Sequence, residues 1–272
     1  LVLKKRLIFA GGRPGSGEPE KSGTGAKIRG LITGNSPRAT FNSSRALNDP
    51  FMSWTQQPIF FVDFEGSRAS GILEFGVAEV VNGQVTDART RLCRATGQVR
   101  PEDVAVHGLQ EARLAGERPF ADEWEYFAGL RERGPLAAHY AGVENGLLKS
   151  VWPYPRNSPD FARPGESLIE WGPWVDSARL YAQFYPQFDT GRLESLVAAA
   201  GLQPELTALA EQYCPPDRRR FHAALYDALA GALLLASLAR DPRLASMTVM
   251  QLLAFSTLDG DKRDALRQRD LF

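Results

Sequence analysis

Apolar residues gather into regular blocks only from Ile59 onward, and the blocks change rhythm along the chain. Ile59-Phe60-Phe61-Val62 runs apolar into Asp63-Phe64-Glu65-Gly66, the pattern of a buried strand over Ile59–Phe64 with acids at its end. Residues 66–71, with Gly66, Ser67, Ser70 and Gly71, read as a turn. The runs 71–81 and 84–93 flank Asn82-Gly83, the strongest short-range hairpin signal, so the fold opens with three antiparallel strands. The spacing then lengthens, and Phe120, Trp124, Phe127 and Leu130 predict a helix over 120–133. A short buried strand is expected over 135–139, a helix over 144–151, and a strand or turn from Trp174 to Asp176. Helices are expected at 178–184, 193–200, 221–240 and 244–255. A hairpin followed by strand–helix alternation implies an α/β fold, a mixed sheet with helices packed against it.

Composition narrows the picture modestly. The 272 residues are 43% hydrophobic and 24% charged, ordinary globular usage that suits one large domain or two small ones. A formal net charge of zero excludes a global basic field and leaves nucleic-acid contact to local patches. Two cysteines, Cys93 and Cys214, cannot build a disulfide framework, which favours a reducing, cytoplasmic setting. The most apolar stretch, 228–238, is too short to span a bilayer and reads as a core helix, so no membrane partner is expected. Residues 1–52 stand apart: they are rich in Gly, Ser and Pro, and carry nine Lys/Arg against Glu18, Glu20 and Asp49. They lack any sustained hydrophobic period and are expected to be disordered. Leu7–Ala10 after Lys4-Lys5-Arg6 is too short for the core of a signal peptide. Met52 stands just before the first strand, so this segment is expected to be an upstream extension; a basic arm touching nucleic acid is the other reading. The expected division is an N-terminal extension at 1–56, a globular domain at 57–257 and a polar tail at 258–272.

The candidate chemistry lies in two stretches far apart. Strand side chains alternate, so Asp63 and Glu65 point to one face, about 7 Å apart. Two partly desolvated acids side by side are costly unless a cation neutralises them. A hard divalent ion such as Mg²⁺ or Mn²⁺ suits oxygen ligands of this kind. The chain has three histidines, and two of them stand beside acids: His139 precedes Glu144 at a helix start, and His222 precedes Asp227 by five residues. Positions i and i+5 do not share a helix face, so His222 is expected just before or at the first turn, with Asp227 on the rigid helix. Asp227 sits among Ala224, Leu225, Ala228, Leu229 and Ala230 and calls for a partner, either one of Arg218–Arg220 or a metal.

Taken together, Asp63 and Glu65, Glu144, and His222 with Asp227 resemble the motif set of the DEDDh branch of the 3′–5′ exonucleases, the RNase T and DnaQ-like enzymes. The resemblance spans about residues 57–240. Val106-His107-Gly108-Leu109 resembles that family's His-Gly-Ile/Leu element, Trp174-Val175-Asp176-Ser177 its later strand, and Gly191-Arg192-Leu193 with Leu196 its LxxL helix. The second motif departs from the pattern. Where the family shows His-Asn-x-x-Phe-Asp, this chain has His139-Tyr140-Ala141-Gly142-Val143-Glu144, so the acid is one methylene longer and an amide is lost.

The resemblance implies a ribonuclease H-like mixed five-stranded sheet flanked by helices. It implies two Mg²⁺ or Mn²⁺ ions held by Asp63, Glu65, Glu144 and Asp227, with Asp63 bridging and His222 as general base. It further implies substrate contacts at Phe64, Gly66, His107, Leu109 and His139, and release of nucleoside 5′-monophosphates from 3′ ends of single-stranded DNA or RNA. The protein partner it admits is a DNA polymerase or a second copy in a homodimer. The altered second motif motivates an alternative, a catalytically weak nucleic-acid-binding or polymerase-associated subunit that keeps the fold. If Glu144 is not a ligand, Asp176 is the first candidate to replace it. Three features keep two readings each: His107 and Leu109 as nucleotide contact or loop packing, the aromatic insert 151–174 as a stacking surface or a self-packed rim, and Arg218–Arg220 as phosphate contacts or a solvated run.

Overall fold

A computed structural model of the chain describes residues 52–257; the expected extension over 1–51 and the tail over 258–272 lie outside the described residues. Strand β1 (Ile59–Ser67) is central. It pairs antiparallel with β2 (Gly71–Val81), which pairs antiparallel with β3 (Gln84–Leu92) across the Asn82-Gly83 turn. On its other side β1 runs parallel to β4 (Leu136–Ala138), and β4 runs parallel to β7 (Trp174–Asp176). The sheet order is β3-β2-β1-β4-β7. This is the mixed five-stranded sheet expected, and β1 is where antiparallel pairing gives way to parallel pairing.

Alternation along β1 builds two cores. Ile59 and Phe61 enter one cluster with helices α5 (Ser177–Phe184), α6 (Leu193–Ala199), α7 (Gln203–Tyr213), α8 (Ala224–Leu238) and α10 (Val249–Ser256). Phe60, Val62 and Phe64 enter the other, with Phe127 and Leu130 of α3 (Trp124–Arg133), Leu147 and Leu148 of α4 (Ala141–Val151), and Trp171. Asp63 and Glu65 continue the Ile59–Phe61 series and therefore face α8. Only Ser237 of α8 escapes full burial, and each of its enclosed leucines contributes about 1.5–3 kcal/mol. Two glycines let α8 lie so close to the sheet. A Cβ on Gly76, opposite Asp63, would run into the backbone carbonyl of Ala224, and one on Gly231 would run into the ring of Phe61.

Several elements differ from the sequence expectation. Phe120–Glu123 is a 3₁₀ turn that leads into α3, so the expected helix is two pieces. The expected helix over 244–255 is also two, α9 (Pro242–Ala245) and α10, because Thr248 and Gln251 form a capping box that starts a new helix. Helices α1 (Pro101–His107), α2 (Glu111–Leu114) and α7 were not expected. They bury few residues, only His107 in α1, Leu114 in α2, and Leu206 and Ala210 in α7, so no apolar stripe announces them. A small hairpin, β5 (Ser158–Pro159) with β6 (Ser167–Leu168), lies within the aromatic insert.

The boundary at 57 is also corrected. Trp54 is 1% exposed and belongs to the larger core; its Nε1–H donates to the Leu244 carbonyl at 2.7 Å. Ser53 bridges to Thr248. Residues 53–56 are thus part of the fold, and a single buried tryptophan outside any periodic run was the signal.

Candidate active site

The candidate residues come from three places that the topology brings to one end of the sheet. β1 delivers Asp63 and Glu65, the loop after β4 and the first turns of α4 deliver Glu144, and the start of α8 delivers His222 and Asp227. The carboxyl ends of β1 and β4 meet here, beside the strand at which the pairing sense changes, which is where open α/β sheets form their binding crevices.

One ligand atom from each of Glu65, His222 and Asp227 lies within 4.8 Å of the other two, with the acids buried and the imidazole exposed. Asp63 and Glu144 stand outside that trio but share its electrostatics. Burial first, and then the charges of Glu144, Asp227, Glu65 and Glu74, push the Asp63 carboxyl well above the ordinary range. Glu65 is pushed up to about 8 by burial and by the charges of Asp227 and Glu74, against the pull of Arg218. Glu144 is pushed up to about 8 by burial, against a hydrogen bond from the Phe64 backbone. Asp227 is pushed up to about 7 by burial, against a hydrogen bond from the His222 backbone. Glu144 Oε2 and Asp227 Oδ1 are buried and have no hydrogen-bond partner. Four crowded acids with two orphaned oxygens suit a hard divalent cation, whose charge would return them to the ionised form. The donor set fits the expected metal.

His222 precedes α8, as its offset from Asp227 required, and adopts φ +63°. A left-handed conformation in a residue with a Cβ costs about 1–3 kcal/mol and persists only where the surroundings hold it. Its N–H donates to Asp227 Oδ2 at 3.0 Å, and its carbonyl accepts from Arg218 Nη2 at 3.2 Å. Arg218 is not the partner of Asp227. It is 3% exposed and forms a two-pronged ion pair with Glu74, which is 2% exposed and sits directly across the β1–β2 ladder from Glu65. Arg219 bonds the carbonyls of Cys214 and Glu211, and Arg220 that of His107. Arg218 is therefore neither solvated nor free for phosphates, whereas Arg219 and Arg220 are exposed. Glu74 and the role of Arg218 were missed by sequence reasoning; Glu74 meets Glu65 through the β1–β2 pairing across the 67–71 turn, which the Asn82-Gly83 hairpin does not set.

The residues expected to touch substrate fall into different settings. Leu109 has no exposed surface and packs with Leu73 and Leu114. The Phe64 ring lies in the aromatic cluster with Phe120 and Phe127. These two side chains face the interior, and Phe64 acts on the site through its backbone. His107 is buried; its Nδ1 accepts from the Leu109 N–H at 3.0 Å, and its Nε2 has no partner. His139 uses both ring nitrogens within the protein, on Ser177 Oγ and the Gly191 carbonyl, each at 2.8 Å. It fixes the loop before α6. Gly66 sits at a bulge at the end of β1. Asp176 accepts from the N–H groups of Tyr140, Ala141, Ala178 and Arg179, so its oxygens are engaged in capping α5 and the turn before α4. In the insert, Trp171 is fully buried and donates to the Trp152 carbonyl, while Arg156 pairs with Glu125 and Glu132. Trp152 and Trp171 pack on each other and on Phe120, Trp124 and Phe127, while Tyr154 is exposed.

Among solved structures, exonuclease X in complex with 5′-overhanging duplex DNA superposes with a TM-score of 0.53 at 19% identity, over 73% of this chain and 99% of that one. The zinc-bound form of Escherichia coli exonuclease I with single-stranded DNA gives 0.50 at 15% identity, over 70% of this chain and 42% of exonuclease I. No protein-family profile matches the chain, and no curated protein matches it in sequence. The likeness establishes the fold: this chain has the ribonuclease H-like fold of these exonucleases. No helix among the described residues is long and apolar enough to cross a membrane.

Proposed function

We propose that the protein is a metal-dependent 3′–5′ exonuclease that hydrolyses terminal phosphodiester bonds of single-stranded nucleic acid. One observation carries the reading. Donor atoms of Glu65, His222 and Asp227 converge within 4.8 Å, beside Asp63 and Glu144, and Glu144 and Asp227 each keep a buried oxygen with no hydrogen-bond partner. Nothing in folding requires such a cluster.

Asp63, Glu65, Glu144 and Asp227 would hold two divalent ions, Mg²⁺ or Mn²⁺. Such ions neutralise phosphate charge and make bound water acidic enough to react at neutral pH. The protein's own part is then positioning and proton transfer. Phe64 fixes Glu144 through its backbone, α8 fixes Asp227, and the exposed His222 imidazole is free to approach a water and take its proton. Imidazole is the side chain most often used for such an exchange. The substrate would be single-stranded DNA or RNA with a free 3′ end. A polymerase or a second copy as protein partner, and a cytoplasmic location, belong to the same reading.

The test is a 5′-labelled oligonucleotide incubated with Mg²⁺ or Mn²⁺, run side by side as DNA and RNA. The label should shorten one nucleotide at a time and stop on chelation. Asp63→Asn should cost more than the roughly hundredfold lost when a group beside a metal ligand is removed. Full activity in that variant would refute the assignment. Absence of any cleavage, with oligonucleotide still bound, would favour the weak-subunit reading that the Tyr140 and Glu144 departures motivate.

A further inference from the structure

We infer that Glu74 and Arg218 are positioning residues for His222, a buried ion pair that fixes the backbone of the base while leaving its ring free to move. The inference rests on the exonuclease reading of His222. Both peptide groups of His222 are held from opposite sides, the N–H by Asp227 Oδ2 at 3.0 Å and the carbonyl by Arg218 Nη2 at 3.2 Å. Two residues on, the Ala224 N–H donates to Glu74 Oε2 at 3.0 Å and opens α8. Arg218 Nε reaches Glu74 Oε1 at 3.1 Å, and its Nη2 closes the second prong on Oε2. Its remaining arm, Nη1, donates to the His107 carbonyl at 2.6 Å and ties the end of α1 to the same frame.

Stability alone does not explain this pair. A buried ion pair is commonly no more stabilising than well-packed apolar residues of the same volume. Glu74 also lies across the ladder from Glu65, where a further acid raises the charge load on the site. What the pair supplies is geometry. Two positions a residue apart, His222 and Ala224, meet the side chains of Asp227, Arg218 and Glu74, and the left-handed φ of His222 is thereby fixed. The 222 imidazole is exposed, so rotation of the side chain is left as the freedom available to it.

The experiment is a double-mutant cycle between Arg218→Lys and His222→Ala on the full chain, reading kcat, KM and the Mn²⁺-induced rise in melting temperature. Lysine keeps the charge but cannot hold two Glu74 oxygens and two carbonyls together. In the parent background Arg218→Lys should lower kcat about 10- to 100-fold, as a misplacement near 1 Å does, with KM and the Mn²⁺ response little changed. In the His222→Ala background it should change kcat by less than about twofold, because there is no base left to position. Equal loss in both backgrounds, or no loss in the parent, overturns the inference. Glu74→Asp, which keeps the charge but withdraws the carboxylate from Ala224, should repeat the pattern, and it decides the matter if Arg218→Lys does not fold. His222→Ala as active as the parent would instead overturn the proposed base itself, an outcome distinguishable because it appears before Arg218 is touched.

Discussion

Replacing Asp227 with asparagine should make the metal-free protein more stable at pH 8 while abolishing its proposed activity. Burial holds the Asp227 carboxyl at about 7, against an ordinary value of 3.8. An acid whose pKa is higher folded than unfolded binds more protons in the folded state, so its contribution to stability falls as pH rises through that window. At about 1.4 kcal/mol per pKa unit, ionising Asp227 at pH 8 costs the fold at most about 4 kcal/mol. Burying the asparagine amide where Oδ1 has no hydrogen-bond partner costs part of this, so the expected net gain is smaller, about 1–3 kcal/mol. For a domain of this size that is a rise in melting temperature of about 3–10 °C. Asparagine retains an oxygen to accept the His222 N–H, so the start of α8 is preserved. The assay is thermal unfolding in chelator at pH 5 and pH 8, repeated with excess Mn²⁺. The variant should exceed the parent by less at pH 5 than at pH 8 without metal, because the penalty grows from pH 3.8 up to about 7, and it should lose most of the Mn²⁺-dependent rise. A difference from the parent that is the same at both pH values would refute the reasoning, because Asp227 would then be acting only as a hydrogen-bond acceptor.

Two further outcomes test how the fold holds the site. Gly76→Ala should lower activity about a hundredfold, because a methyl facing the Ala224 carbonyl forces α8 off the sheet and carries Asp227 with it; kinetics together with circular dichroism check that the fold survives. Trp54→Ala should destabilise the fold by about 3–5 kcal/mol in denaturant titrations, whereas a chain beginning at Met52 should match the full-length protein in both stability and rate.

The strands and the acids were the legible part of this sequence. Period-two alternation marks three strands, Asn82-Gly83 joins the second and third as a hairpin, and an apolar strand that ends in Asp63 and Glu65 has few bland explanations. The offset between His222 and Asp227 correctly separates the histidine from the helix. Helices α1, α2 and α7 escaped because they bury few residues, so their periodicity is too weak to read. Trp54 escaped because its partners lie some 190 residues away. Arg218 escaped for a similar reason: in sequence it is one of three arginines, and only the register of the hairpin and the turn before α8 single it out. The settings of Phe64, Leu109 and His139 could not be read locally either, since their partners come from distant elements.

Acids at this end of the sheet divide by how fully their oxygens are engaged. Asp176 accepts four backbone N–H groups, and Glu74 takes two arginine nitrogens and the Ala224 N–H. Each oxygen of both carboxylates already accepts at least one hydrogen bond. Glu144 and Asp227 each keep a buried oxygen with no partner. A carboxylate engaged at both oxygens shapes backbone, whereas an orphaned oxygen carries a desolvation cost that a cation, a proton or a bound water relieves. This separates the two classes without reference to motif position. It favours Glu144 over Asp176 as a ligand candidate despite the longer side chain of Glu144. It also explains why Glu74, an acid beside Glu65, belongs to the frame that holds the site and not to the set that would hold metal.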